Sequence, residues 1–153
     1  MGDPVAAVRE STRQILQTQH AGWREIVSGL DTDALNWKPG DETNSIAVLV
    51  SHALDAERYL LATSVDTEID RDREAKFRVT ASSADELLSL VDQTESDVNG
   101  YLDALTCDHL VKEIARPNRS HVGSWWLLHA IEHSCEHLGQ AALTRQMWEQ
   151  KQG

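Results

Sequence analysis

Cysteine is scarce in this chain. Cys107 and Cys135 are the only two among 153 residues, and neither belongs to a CxxC pair. A disulfide scaffold is therefore not expected, and both thiols read as reduced. Basic residues are also few and scattered. Lys and Arg number 14 against 25 Asp and Glu, a formal net charge of −11. Nucleic-acid binders need a basic stripe that releases counterions from phosphates, and no run of Lys or Arg supplies one. DNA, RNA and anionic membrane are thus not expected partners. No apolar stretch reaches the ~20 residues that span a bilayer. The opening MGDPVAAVRE lacks the basic segment and apolar core of a signal peptide. The expectation is a cytoplasmic protein with no membrane partner.

What the chain does have is helical patterning. Its length suits one domain over residues 1–153, and 41% hydrophobic residues suffice for a core. Val5, Val8, Ile15, Leu16, Trp23, Ile26, Val27 and Leu30 recur at three- and four-residue steps, which predicts a helix from Pro4 to Gly29 capped by Asp3. The turn-rich LDTDALNWKPGDETNS follows, with Leu35 and Trp37 expected to fold back as a lid. A second helix, Ile46 to Thr63, is apolar nearly all round and so reads as buried. SVDTEIDRDREAKFRVTAS reads as a long surface connection. Ser83-Ala84-Asp85-Glu86 then has the pattern of a capping box opening a third helix, whose stripe includes Leu87, Leu88, Val91, Val98, Tyr101, Leu102 and Leu105. Asn99-Gly100 inside that stripe suggests a bend. CDHLVKEIARPNRSHVG is a further connection broken at Pro117, and a fourth helix runs from Val122 to Glu149. With no strand pattern, the fold class is all-α, a four-helix bundle with long links.

The fourth helix contains HAIEHSCEHLGQ, with His129, His133 and His137 at intervals of four. At ~100° per residue they fall within one arc, together with Val122, Trp126, Gln140 and Thr144. The opposite arc carries Leu127, Leu128, Ile131, Cys135, Leu138 and Ala142, and both sides read as buried. Cα atoms at i and i+4 are ~6 Å apart along the axis, so two imidazoles can reach one ion at ~2.0–2.1 Å. His129 and His137 are twice as far apart, so one adjacent pair is expected to bind. A third ligand must come from another helix. His52, alone in the middle of the second helix, is the candidate, although a lone buried histidine is commonly a hydrogen-bonded core residue. Three neutral imidazoles suit Zn²⁺, Ni²⁺ or Fe²⁺ and leave room for water. His20, His109 and His121 lie near helix ends or in links and read as solvated.

LNWKPGDETNSIAVLVSHALDAERYLL resembles the segment joining the first two helices of DinB-like proteins. HSCEHLGQAALTRQ resembles that family's HxxxHxGQ signature, and the two occur in the family's order. The resemblance implies an up-down-down-up four-helix bundle of DinB/YfiT-like type. It implies a metal site of His52, His133 and His137, because Gly139-Gln140 fixes the register and places His129 one turn too early. His129, Gln140, Tyr59 and Trp126 become pocket candidates. Glu132, Glu136, Asp55 and Glu57 are candidate acceptors for imidazole N–H groups, each weighed against a solvated surface acid. Gly139 reads as a simple packing glycine, with a role in close helix approach as the alternative. Cys135 is not counted as a ligand.

The resemblance also implies chemistry. The superfamily includes enzymes that use low-molecular-weight thiols, among them mycothiol and bacillithiol transferases and maleylpyruvate isomerases, beside many members with no known activity. The leading expectation is metal-assisted transfer of, or to, such a thiol, with an electrophilic small-molecule substrate. A metal-water-dependent hydrolase is the first alternative, and a non-catalytic metal- or ligand-binding stress protein is the second. Several tryptophans make a homodimer compatible with the sequence, with no motif for one.

Overall fold

The computed structural model describes residues 2–153. In chain order its elements are α1 (Pro4–Val27), α2 (Thr32–Asn36), α3 (Ile46–Ser64), α4 (Arg73–Lys76), α5 (Ala84–Ala104), α6 (Cys107–Val111), β1 (Glu113–Arg116), β2 (Arg119–Val122) and α7 (Gly123–Gln152). Side chains start the long helices. Asp3 accepts from the Val5 N–H ahead of Pro4, Ser45 from Val48 and Ser83 from Glu86, which satisfies N–H groups the helices cannot pair internally. Glu86 reaches back to the backbone and hydroxyl of Ser82 rather than to Ser83, so the expected box is displaced by one residue.

Two buried clusters give the helix directions. The first joins Trp23, Ile26 and Val27 late in α1 to Ile46, Leu49 and Val50 early in α3, Leu87 and Val91 early in α5, and Ala141 late in α7. The second joins Val5 and Leu16, Leu60 and Leu61, Val98 and Leu102, and Trp126, Leu127 and Ala130. Thus α3 and α5 run parallel, and α1 and α7 run against them, an up-down-down-up bundle. Each of α1 and α3 packs against both α5 and α7. α1 and α3 therefore stand on one diagonal.

Several local expectations are corrected. A two-stranded antiparallel hairpin occupies the link before α7, with Ile114 opposite His121 and Arg116 opposite Arg119. Its strands are four residues long and lack apolar alternation, so no strand signal was visible. The indole N–H of Trp126 donates to the carbonyls of Ile114 and His121, tying the hairpin to α7. His20 is fully buried, not solvated, and its Nε2 lies 2.6 Å from Oε1 of the equally buried Glu57. Asn99-Gly100 sits inside a continuous α5. There Asn99 accepts from Arg13 of α1, which holds its side chain against the bundle. α7 is less buried than its pattern suggested. Leu128, Leu143 and Met147 are exposed, as is Cys135, and Val122 precedes the helix and is exposed too. Val8 and Ile15 of the α1 stripe also face outward.

The close-approach glycines are not Gly139, which has nothing within 4 Å of an added Cβ. Gly22 of α1 faces Leu138 of α7, where an added Cβ would meet a methyl group at 3.1 Å. Gly123 is tighter: a Cβ there would lie 2.0 Å from the His109 carbonyl oxygen. Its N–H bonds the Lys112 carbonyl at 2.9 Å, so α7 begins where only a glycine fits. The α1–α3 link does fold back, with Leu35 buried and Trp37 packed 5.6 Å from Trp148.

Candidate metal centre

α3 is buried along nearly its whole length, and His52 lies at its middle with 4% of its surface exposed. Across from it, α7 presents His133 and His137, both half-buried. The ring centroids of His52 are 5.1 Å from His133 and 5.0 Å from His137, and those two are 4.4 Å apart. One ligand-type nitrogen from each ring lies within 4.8 Å of the others, a group that could hold a metal ion. Nε2 of His133 and Nε2 of His137 are 3.3 Å apart. Two nitrogens bound at ~2.0–2.1 Å with tetrahedral angles would be separated by ~3.4 Å, so this pair is already at bridging distance.

The donor states fit an ion as well. His52 is pushed down to about 4, mainly by burial, then by His137 and by Arg71 and Arg73, with Asp55 opposing. His133 is pushed down to about 3 by burial, then by His137, His52 and His129. Both rings are neutral at neutral pH, the state in which imidazole binds metal. Nδ1 of His52 and of His133 is buried with no hydrogen-bond partner. His137 differs. Its Nδ1 lies 2.8 Å from Gln140 Oε1, and Gln140 Nε2 donates to Glu136 Oε1 at 3.3 Å. That relay orients the amide, makes His137 Nδ1 the donor, and leaves Nε2 with its lone pair toward His133. Phe77 packs 4.4 Å from the His52 ring and shields it.

A cavity of about 420 Å³ opens beside His52 and His133. Tyr59, Trp126 and His129 line it, whereas Gln140 does not and acts on His137 instead. His129 stacks near Trp125 and its Nδ1 lies 2.9 Å from Glu132. Asp55 pairs with Arg71, and Glu57 with His20, so neither acid accepts from the three clustered rings. His121 stacks 3.7 Å from Trp125, and His109 closes a capping box with Thr106. The sequence reading missed Arg71, Arg73, Arg116 and Arg119, which line the same cavity from two separate links. The available signal was their density in those links of an otherwise acidic chain.

The histidines sit between facing helices of a bundle, where side-chain metal sites of helical bundles are built. The chain belongs to the DinB superfamily, whose sequence profile matches residues 15–141. No curated protein sequence matches it significantly. Among solved structures it is similar to YfiT from Bacillus subtilis, described as a probable metal-dependent hydrolase with an unusual four-helix bundle topology. That pair is 15% identical over 92% of this chain and 87% of the other, with a TM-score of 0.74. It is also similar to a DinB-like protein, YjoA, from Bacillus subtilis, at 16% identity over 91% and 92% of the two chains and a TM-score of 0.71. A conserved protein from Enterococcus faecalis gives 17% identity over 90% and 95%, with a TM-score of 0.75. At these identities the likeness concerns the fold. No described helix is long and apolar enough to cross a membrane.

Proposed function

We propose that this protein is a metal-dependent enzyme acting on a small molecule in the cavity beside His52, with His52, His133 and His137 as the ligands. The reaction we favour is transfer of a group to or from a low-molecular-weight thiol. The observation that carries this reading is a cluster of three imidazoles, two of which, His52 and His133, line a cavity that no Asp or Glu lines. When bound, Zn, Ni or Fe supplies Lewis acidity, lowering the pKa of a thiol or a water and polarising the bond that reacts.

The chain's own residues do the rest. His52 and His133 stay neutral and offer lone pairs. Gln140 holds His137 in the matching tautomer. Three protein ligands leave positions open, as catalytic sites require. The cavity holds no carboxylate to serve as general base for water, whereas a thiol needs less help to ionise and arginine walls favour its anion. Tyr59 and Trp126 give the electrophile an apolar wall.

Hydrolysis is the second reading. It is favoured by the His129–Glu132 pair at the cavity edge, which could take a proton from water, and by the description of YfiT. Metal content by mass spectrometry, wild type beside His133→Ala, is the first test. About one equivalent of metal that disappears in the variant supports the site. Turnover of an electrophile that requires added thiol supports transfer, and ester or amide cleavage without thiol supports hydrolysis. A wild type that takes up no added divalent ion sinks both.

A further inference from the structure

We infer that the cavity receives an anionic group, a carboxylate or a phosphate, on the small molecule that the enzyme binds. The inference deepens the enzyme reading and rests on that cavity being the substrate site. Four of the chain's 14 basic residues, Arg71, Arg73, Arg116 and Arg119, line one cavity, and neither Asp nor Glu is among its lining residues, in a protein of net charge −11. They come from the two links flanking α5, so only the fold gathers them. The hairpin register sets Arg116 opposite Arg119 at its tip.

The surrounding acids do not consume these charges equally. Arg116 is spent locally: it donates to the carbonyls of Ala115 and Thr67 and lies 3.7 Å from Asp66, which Lys112 also holds. Arg71 commits Nε to Asp55 at 2.6 Å and stands over the Tyr59 ring at 5.2 Å, leaving its two Nη groups for a ligand. Arg73 stands over the Phe77 ring at 4.9 Å and has an ion pair only with its neighbour Glu74, exposed on both sides, which water and a better acceptor displace readily. Arg119 has no ion pair among the described residues. It is held instead 5.9 Å from the ring centres of Trp125 and Trp126, by aromatic faces that leave its donors free. Among nearby acids, Glu132 is engaged with His129, Asp72 between Arg71 and Arg73 caps α4, and Glu68 and Asp70 line an adjoining recess that shares Arg71 and Arg116. Planar guanidinium forks match carboxylate and phosphate oxygens, and a positive cavity in an acidic protein concentrates such ligands.

The test is calorimetric binding to zinc-loaded protein of succinate, of neutral succinamide with the same skeleton, and of inorganic phosphate. Wild type, Arg119→Gln and Arg73→Gln are compared, with zinc content and thermal unfolding measured on each. The expected result is saturable binding of an anion but not of succinamide. Each variant should weaken anion binding about tenfold (~1.4 kcal/mol) with zinc content and unfolding unchanged. Preference between succinate and phosphate then assigns the carboxylate or the phosphate class. Succinamide binding as well as succinate, or both variants binding anions like wild type, overturns the inference. So does the absence of saturable heat from either anion at ~10 mM, well above a millimolar Kd. Loss of the metal reading reads out separately, as zinc stoichiometry near zero with arginine-dependent anion binding intact.

Discussion

His20 and His52 are both buried on helices that share a diagonal of the bundle, yet their surroundings differ in kind. His20 on α1 meets Glu57 on α3 at 2.6 Å, and both side chains are fully enclosed. His52, five residues earlier on α3, meets two further imidazoles, Phe77 and a cavity. The first histidine has found a partner inside the protein and is closed to everything else. Both lack a partner at Nδ1, but only the second faces a cavity and two further imidazoles. Burial alone therefore does not separate a histidine paired inside the protein from a candidate ligand. What the ring nitrogens are offered does.

The sharpest way to break this contrast is Glu57→Ala. Removing one member of a buried pair strands the other, so stability should fall by ~3–5 kcal/mol in denaturant unfolding, while the folded fraction keeps its metal. If instead stability holds and metal is lost, the two sites have been assigned the wrong way round. Next in size, zinc at about a hundred times its Kd should stabilise wild type by ~2.7 kcal/mol and leave His133→Ala unmoved, read as a shift in thermal unfolding. Gln140→Ala should free the His137 ring and weaken zinc binding ~10–100-fold without abolishing it, measured by chelator competition.

The smallest effect is a pH dependence of the metal-free protein. Unfolded imidazoles take up protons near 6.5, whereas folded His52 does so at about 4 and His133 at about 3. Between those values the unfolded chain binds more protons, so stability rises with pH and is lost on acidification from about 6.5 toward 4. Solvent screening at the cavity trims the effect to about 1 kcal/mol, and His133→Ala should flatten the curve. An equally steep curve in that variant would remove His133 from the account.

How much of this was legible in the sequence depends on the kind of signal. The four long helices, and the expectation that one adjacent pair of His129, His133 and His137 binds, follow from helical periodicity, a repeated local pattern. His52 was a candidate from its place in the middle of a buried helix. The resemblance to a family was needed to pick His133 and His137 and to support all three as ligands, since nothing in one helix says which residue of another will face it. His20 looked solvated because its partner Glu57 lies 37 residues away and only the bundle brings them together. The gathering of the arginines on one cavity and the hairpin were not legible for a related reason. They lie in segments with no period, where a short turn and two capped fragments set their positions.

The tie between Trp126 and both strands of the hairpin has a consequence for how such a protein can diversify. One indole N–H anchors the base of the hairpin to α7, while Arg116, Pro117, Asn118 and Arg119 at its tip touch the cavity. The three clustered histidines belong to α3 and α7, and the tip belongs to neither. Residues there can be exchanged, or the turn lengthened, without rewriting a helix. The bundle acts as a fixed chassis and the hairpin as an interchangeable jaw. New ligand preferences can accumulate at the tip while the proposed metal centre is inherited unchanged.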